Sequence, residues 1–221
     1  MNKLVHSPKT PRARRNDPAR TMAEILTVAT AEFADKGLAG ARIDAIADAT
    51  QTSKRMIYYY YGSKEGLYRA VLENAYRRTR EIEADLHLRD LAPVEGLRKL
   101  VEFTFERHRQ NEPFIRLVMS ENILRGEYIR QIPHIRDLNV PVIETIADLY
   151  ARGVREGVFR RGLDPVDIHW AISAFAFFNV SNRHTFGVIF EKGGSTGPAE
   201  TIARREAVEM VLRYVCHTDT V

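Results

Sequence analysis

The residues best suited to chemistry in this sequence are cations and phenols, and they are grouped in one short stretch. Lys54 and Arg55 follow directly on Ser53, and four consecutive tyrosines occupy positions 58–61. Long cations can reach phosphates or guanine edges, and phenolic hydroxyls can donate hydrogen bonds to phosphate oxygens. Lys64 adds a further positive charge just beyond them. This combination predicts contact with a nucleic acid.

Motifs for catalysis are much weaker. The sequence contains neither a dinucleotide-binding glycine fingerprint nor a kinase signature, and no two histidines are spaced i and i+4 as in zinc hydrolases. The single cysteine, Cys216, excludes a site made of several cysteines. We therefore expect no enzyme activity, no catalytic residue, no metal and no cofactor. A helical enzyme that uses His169 and His184 is a distant alternative.

The apolar residues around the cationic stretch predict two short helices joined by a tight turn. Ile43, Ile46 and Ala47 have the i, i+3, i+4 spacing of one helix face. Residues 50–52 interrupt that pattern, and Ser53 is the predicted N-cap of the second helix. Such a pair is a helix-turn-helix, whose second helix enters the major groove of DNA.

The same residues resemble a known family. The segment SKRMIYYYYGSKEGLYRAVL is similar to the recognition helix and following helix of TetR-family transcriptional repressors. The segment AEILTVATAEFADKGLAGARIDAIADAT is similar to that family's first two helices, so the resemblance covers Ala19 to about Arg80. The chain departs from the family pattern at Gln51, where a turn glycine is usual, and at Arg55, Met56 and Gly62. These departures leave the operator sequence open.

The resemblance implies an all-α protein. We expect a disordered basic arm over residues 1–18, a three-helix helix-turn-helix domain over 19–79, and a C-terminal helical domain for ligand binding and dimerisation over 80–221. The resemblance also implies a DNA-binding transcriptional regulator. We expect a repressor that a small-molecule effector releases from a palindromic operator. The alternative is a helical ligand-binding or scaffold protein that retains the helix-turn-helix without operator recognition.

Ten residues are predicted to contact double-stranded DNA. Position and family resemblance assign four mainly to phosphates and four to base edges. Tyr59 could join either group, and Thr52 is predicted to contact DNA without assignment to a group. The phosphate group is Arg42, Ser53, Tyr58 and Lys64, and the base-edge group is Lys54, Arg55, Met56 and Tyr60.

The charge distribution agrees with this division of the chain. Residues 1–64 contain 11 lysines and arginines against 6 acidic residues, whereas the rest of the chain contains 22 against 23. Clustered cations are what phosphate binding requires. No apolar run is long enough for a membrane span, so we expect a cytoplasmic protein without a membrane partner.

The C-terminal half predicts a homodimer and a ligand cavity. Residues 165–190 are apolar around most of a helix, so we expect burial on both sides and a dimer formed by this helix and the helix 199–216. A mixture of aromatic and polar side chains could line a site for an unknown effector, although they could equally fill a core. The candidate lining residues are Phe103, Asn122, Trp170, Phe177 and His184.

Overall fold

The computed structural model describes residues 17–191 and 198–217, and within these ranges the regular structure is helical apart from one isolated bridge between Phe159 and Cys216. Residues 1–16 of the predicted arm and residues 192–197 lie outside the described residues. The ten α-helices are α1 Pro18–Gly40, α2 Ile43–Ala49, α3 Lys54–Tyr61, α4 Lys64–Ala84, α5 Pro93–Gln110, α6 Glu112–Ile123, α7 Val140–Arg155, α8 Pro165–Ser181, α9 Arg183–Phe190 and α10 Pro198–Val215.

Side-chain caps fix where four of these helices begin. Asp17, Ser53, Ser63 and Asp164 each accept a hydrogen bond from a backbone N–H two or three residues further on. Such a cap satisfies one of the free donors at a helix start and stabilises the fold by about 1 kcal/mol. The predicted N-cap of the second helix at Ser53 is confirmed. Gly37 ends the regular part of α1, because its φ of 65° is left-handed.

The molecule contains two main apolar cores. The N-terminal core is built on Ile25, Phe33, Ile57 and Leu67, and it also includes Leu117 from α6. The C-terminal core lies between α5, α7, α8 and α10. Because a residue of α6 completes the N-terminal core, the helix-turn-helix domain is packed against the C-terminal domain rather than linked to it loosely.

Helix α4 belongs to both domains. Leu67 and Val71 are fully buried in the N-terminal core, whereas Arg80 and Glu83 line cavities of the C-terminal domain. At 1.5 Å per residue, its 21 residues span about 31 Å. The predicted boundary between residues 79 and 80 therefore falls inside one continuous helix.

The predicted single helix from Pro165 to about Phe190 was wrong at one point. Asn182 has φ −105° and ψ 0°, so α8 ends at Ser181 and α9 starts at Arg183. The amide Nδ2 of Asn182 donates to Ser181 Oγ at 2.8 Å. Short polar side chains compete for such local bonds and disfavour a helix interior, and residues 181–185 are all polar.

The expected burial of this segment on both sides is not met within one chain. Ile168, Ile172, Ala176 and Val180 are buried, but Trp170 on the other side of α8 is 72% exposed.

In the part of the chain that the structure describes, no helix is long and apolar enough to cross a membrane.

Candidate nucleic-acid interface

The turn between α2 and α3 is held by the backbone. Thr52 N donates to Ala47 O at 3.0 Å, and Gln51 N donates to Asp48 O at 3.2 Å. Gln51 has φ 52°, in the left-handed region. Side chains other than glycine are disfavoured there, so the position where the family pattern has glycine keeps the glycine-like conformation in spite of its side chain.

Helix α3 is oriented by two inward side chains. Ile57 is fully buried, and the Tyr61 hydroxyl donates to Met22 O of α1 at 3.2 Å. Burial raises the pKa of Tyr61 above its ordinary value, with Tyr60 as a smaller cause, so the phenol stays protonated and remains a donor. Anchored in this way, α3 turns its other side to solvent.

The solvent side of α3 presents cations and phenols. Lys54 and Arg55 are exposed in its first turn, and Tyr58 and Tyr59 are exposed in its second half, Tyr59 to 78%. Met56 and Tyr60 are half-buried beside them, and the Tyr60 ring is 5.5 Å from that of Tyr59. We call the exposed set Lys54, Arg55, Tyr58 and Tyr59 the reading face.

The predicted phosphate contacts flank this face. Arg42 is exposed at the start of α2, and Ser53 is the α3 cap. Lys64 is half-buried, and its Nζ donates to Ala39 O at 3.1 Å, which ties the start of α4 to the end of α1. Thr52 lies in the turn, with its hydroxyl 3.5 Å from Thr50 O. Lys64 therefore supports the domain as well as adding charge.

Asp44 is a further residue of this interface, and the sequence did not predict it. Its Oδ1 lies 2.6 Å from Lys54 Nζ, and its Oδ2 lies 3.8 Å from Arg42 Nη2. The hydrogen bond from Lys54 is the main cause that lowers the pKa of Asp44. The carboxylate is negative next to two cations that would meet phosphates. The i, i+10 spacing across the turn gives no sequence signal for this contact.

A solvent-exposed second helix that carries cations and phenols, held by a tight turn against a three-helix core, defines a helix-turn-helix DNA-binding protein. Two family models extend this assignment over most of the chain. "Bacterial regulatory proteins, tetR family" matches residues 25–71, and "Tetracyclin repressor-like, C-terminal domain" matches residues 93–211. The chain belongs to the TetR family and is a DNA-binding transcriptional regulator.

Relatives and solved structures agree with this family. The HTH-type transcriptional repressor NicS of Pseudomonas putida is 34% identical over 167 residues, which cover 75% of this chain and 78% of NicS. The putative transcriptional regulator SCO4942 from Streptomyces coelicolor is similar in structure, with a TM-score of 0.66, 25% identity, and coverage of 88% of this chain and 98% of that one. The fold is also similar to that of AibR in complex with isovaleryl coenzyme A and operator DNA. The TM-score is 0.64 at 17% identity, with coverage of 86% of this chain and 97% of AibR.

The five predicted ligand-lining residues are not brought together. Asn122 is exposed and donates from Nδ2 to Val118 O at 2.9 Å, and Trp170 lies on the outer side of α8. His184 lines a cavity of about 250 Å³ between α1, α6 and the α8–α9 junction. Phe177 packs with its ring 6.4 Å from that of His108, and Phe103 lines a separate small cavity.

Two neighbouring cavities lie between α4 and α5. Helix α7 completes the wall of the outer cavity, and helix α8 completes the wall of the inner cavity. The outer cavity has a volume of about 300 Å³, with Ala84, Leu88, Leu100 and Val142 among its walls. The inner cavity holds about 20 Å³, and its walls are mostly polar. Arg80 and Glu83 line both cavities. The inner walls are Thr79, Arg80, Glu83, Phe103, Thr104, Arg107, His108, His169 and Ser173.

The histidines of the inner cavity are neutral at physiological pH. Burial, helped by the positive charge of Arg80, lowers the pKa of both His108 and His169 to about 4. Arg80, Arg107 and His108 were missed as site residues. One signal was present: His108 continues the buried stripe of Leu97, Leu100, Val101 and Phe105 on α5, so it had to point inward.

Proposed function

We propose that the protein represses transcription by binding a palindromic operator as a homodimer, and that a small molecule bound in its C-terminal domain releases it. The observation that carries this proposal is the reading face of α3. Lys54 and Arg55 stand free of the domain core there, beside two exposed phenols. The repressor NicS, at 34% identity, supports repression as the direction of control.

The reading face divides into two kinds of contact. Arg55 and Tyr59 are exposed on the reading face, so we assign them to base edges together with Lys54, Met56 and Tyr60. Arg42, Ser53, Tyr58 and Lys64 lie at helix starts or on the side of α3, where they would meet phosphates. Thr52 in the turn is adjacent to both groups.

The uncovered apolar side of the C-terminal helices supports a homodimer. Val166, Trp170 and Phe178 of α8 are four and eight residues apart, so they lie on one side of the helix, and they are about half exposed or more. The buried residues of α8, which begin at Ile168, follow the same period two residues out of phase, on the opposite side. A continuous exposed apolar surface of this kind marks an interaction site.

Helices α9 and α10 extend this surface. Phe186, Val188, Ile189 and Phe190 of α9 are exposed, as are Ile202 and Met210 of α10. The Phe186 ring lies 5.4 Å from that of Phe178, and packing this side against its copy across a two-fold axis would bury both. It would also present two recognition helices, which a palindrome needs at a spacing near one DNA turn, about 34–36 Å.

Helix α4 is the element that would connect a ligand to the DNA. Its first half is fixed in the N-terminal core by Leu67 and Val71, and its last turns line both cavities. A ligand acts only through a difference in affinity between two arrangements, so it must favour one in which the two recognition helices no longer fit adjacent grooves. A tilt of α4 would change their separation.

Genome-wide selection of bound DNA fragments, followed by anisotropy with the recovered site, tests this function. We expect an inverted repeat with half-sites about one helical turn apart, bound by one dimer. A protein that binds no sequence more tightly than random DNA would instead be a scaffold that retained the helix-turn-helix. A single asymmetric half-site, bound by a monomer, would contradict the dimer.

A further inference from the structure

The inner cavity of the C-terminal domain contains an excess of hydrogen-bond donors. Arg80 Nε, Arg107 Nε and His108 Nδ1 are buried and have no hydrogen-bond partner among the described residues. All three side chains line this cavity. Both arginine Nε atoms are donors, whereas Nδ1 of the neutral His108 donates or accepts according to the tautomer. Burial of an unsatisfied donor costs about 1–3 kcal/mol, and more when the group is charged, so two such guanidinium donors around one small space are unusual.

Other groups around the cavity do not satisfy these donors. The hydroxyls of Thr79 and Thr104 donate to carbonyl oxygens one turn back on their own helices, to Ala75 O at 2.9 Å and Leu100 O at 2.8 Å. Glu83 Oε2 pairs with Nη1 of Arg80, which leaves the Nε of that guanidinium unpaired. The inner cavity therefore lacks a hydrogen-bond acceptor for these donors, and a ligand that binds there should supply one.

The charge of the cavity is also positive. Arg80 and Arg107 contribute two positive charges against one negative charge from Glu83, and the histidines are neutral. The pKa of Arg107 is lowered by burial and then by Arg78, as expected for a cation without a nearby counter-charge. An anion that accepted hydrogen bonds here would satisfy donors and charge together.

The adjoining outer cavity indicates what kind of anion fits. At about 300 Å³ it has the size of a small-molecule site, and Leu88, Leu100 and Val142 give it apolar walls. The inner cavity, at about 20 Å³, has room for little more than one water-sized group. A bare inorganic ion would leave the outer cavity unused, whereas an acid with an apolar body would use both.

We propose that the two cavities bind a small carboxylic acid as its anion. Its carboxylate accepts hydrogen bonds from Arg80 and Arg107, and its apolar body occupies the outer cavity beside Leu88 and Leu100. This inference rests on the proposed effector response, and it names the ligand class. Because the carboxylate binds the free Nε of Arg80 beside the pair of Arg80 with Glu83, binding acts directly on the last turns of α4.

Matched acids and amides test the site in the full-length protein. The probes are benzoate and hexanoate, each compared with its uncharged amide, by thermal shift and isothermal titration calorimetry. We expect the acids to raise Tm and to bind at least about 10-fold more tightly than the amides, as for loss of a charge-assisted bond. Equal binding of acid and amide, or no binding of either acid at millimolar concentration, overturns the proposal.

Variants on one helix locate the carboxylate. Arg107→Met keeps the apolar stem and should weaken acid binding by at least about 10-fold. Arg98→Met, on the exposed side of the same helix α5, should leave it unchanged. Equal losses in the two variants overturn the assignment. If Arg107→Met does not fold, Arg107→Lys replaces it, and unchanged acid affinity in that variant counts against the Nε contact.

Operator anisotropy in the same samples separates this inference from the proposed function. Acid binding that leaves operator affinity unchanged supports the carboxylate site and contradicts the effector response. A wild-type protein that binds no operator but still discriminates acid from amide contradicts the regulator and supports the site. Operator release by the amides as well as by the acids overturns the carboxylate site.

Discussion

The ammonium of Lys54 lies 2.6 Å from the carboxylate of Asp44, which joins the first residue of the recognition helix to the helix before it. The same carboxylate is 3.8 Å from the guanidinium of Arg42. Two of the cations that we assign to DNA are therefore held by one acidic residue in the absence of DNA. The pair aims Lys54, but it also places a negative charge beside the phosphates that these cations would approach.

Asp44→Asn should increase DNA affinity for all sequences. The substitution removes a charge that repels phosphate and releases Lys54 and Arg42 to bind it, so we expect affinity to rise several-fold at low salt. Anisotropy with specific and random duplexes measures the change. Asp48→Asn is the matched control, since it removes the same charge from α2 at another exposed position. An equal gain in both variants would show that only overall charge matters.

Arg55→Ala should relax sequence preference at particular base pairs. Arg55 is exposed on the reading face, and one arginine contact to a guanine edge is worth about 1–3 kcal/mol of discrimination. Lys64→Ala should instead weaken binding to every sequence and reduce the salt slope by about one unit. Competition with single-base operator variants distinguishes them. A change in preference in Lys64→Ala alone would reverse the two assignments.

Gln51→Gly should stabilise the fold. Gln51 has φ 52°, a conformation in which a side chain is strained and glycine is not, so the free energy of unfolding should rise by about 0.5–1 kcal/mol. Urea denaturation measures it. Thr50→Gly is the control, because Thr50 has φ −93° and its hydroxyl bonds Ile46 O at 2.8 Å. That variant should lose stability, and a loss in Gln51→Gly would contradict the strain argument.

Local chemistry explains which parts of the fold could be predicted. The starts of α1, α3 and α8 follow from Asp17, Ser53 and Asp164, because a cap acts within three residues of itself. The break at Asn182 was missed although residues 181–185 are all polar, because the segment was judged by the apolar residues on either side of them. The contact of Asp44 with Lys54 depends on how two helices cross, which no residue spacing encodes.

The five predicted ligand-lining residues do not lie around one cavity, because helix packing, which residue spacing does not encode, decides which side chains face inward. Trp170 and Phe177 are aromatic residues of one helix, but only the packing of α5 against α8 decides which faces inward, and it is Phe177. Arg80 and Arg107 look like solvent-facing cations in sequence, since arginine is rarely buried. Their burial beside His108 appears only when α4 and α5 are brought together.

Trp170→Glu should dissociate the proposed homodimer. Trp170 is 72% exposed in the single chain, so a charge there leaves the folded monomer intact but would be buried without a partner in a two-fold interface. Sedimentation velocity at micromolar concentration should show a monomer with unchanged helix content. Glu102→Gln, at an exposed position of α5 outside the proposed interface, is the control and should remain dimeric. A wild-type protein that is already monomeric would contradict the dimer.

Stability should fall when the pH is lowered from about 7 to about 5, because of the buried histidines. Folding lowers the pKa of His108 and His169 to about 4 from an ordinary 6.5. The unfolded chain therefore takes up protons as the pH falls below the ordinary value, while the folded chain stays neutral. The stability that the neutral histidines contribute is fully present above pH 6.5. It is lost as the pH falls towards the folded pKa of about 4, by at most about 3 kcal/mol for each histidine.

Urea denaturation across this range measures the loss. Glu83 acts in the opposite sense, because burial raises its pKa, although Arg80 opposes the shift, and folding then favours its protonated form at the acid end. The histidine effect begins as the pH falls below the ordinary histidine value of 6.5, and comparison with a variant that lacks one histidine isolates it from that of Glu83. His108→Gln should flatten the dependence, whereas His134→Gln, at an exposed position, should not. A dependence that is equally steep in wild type and His108→Gln would show that His108 is not the group that titrates.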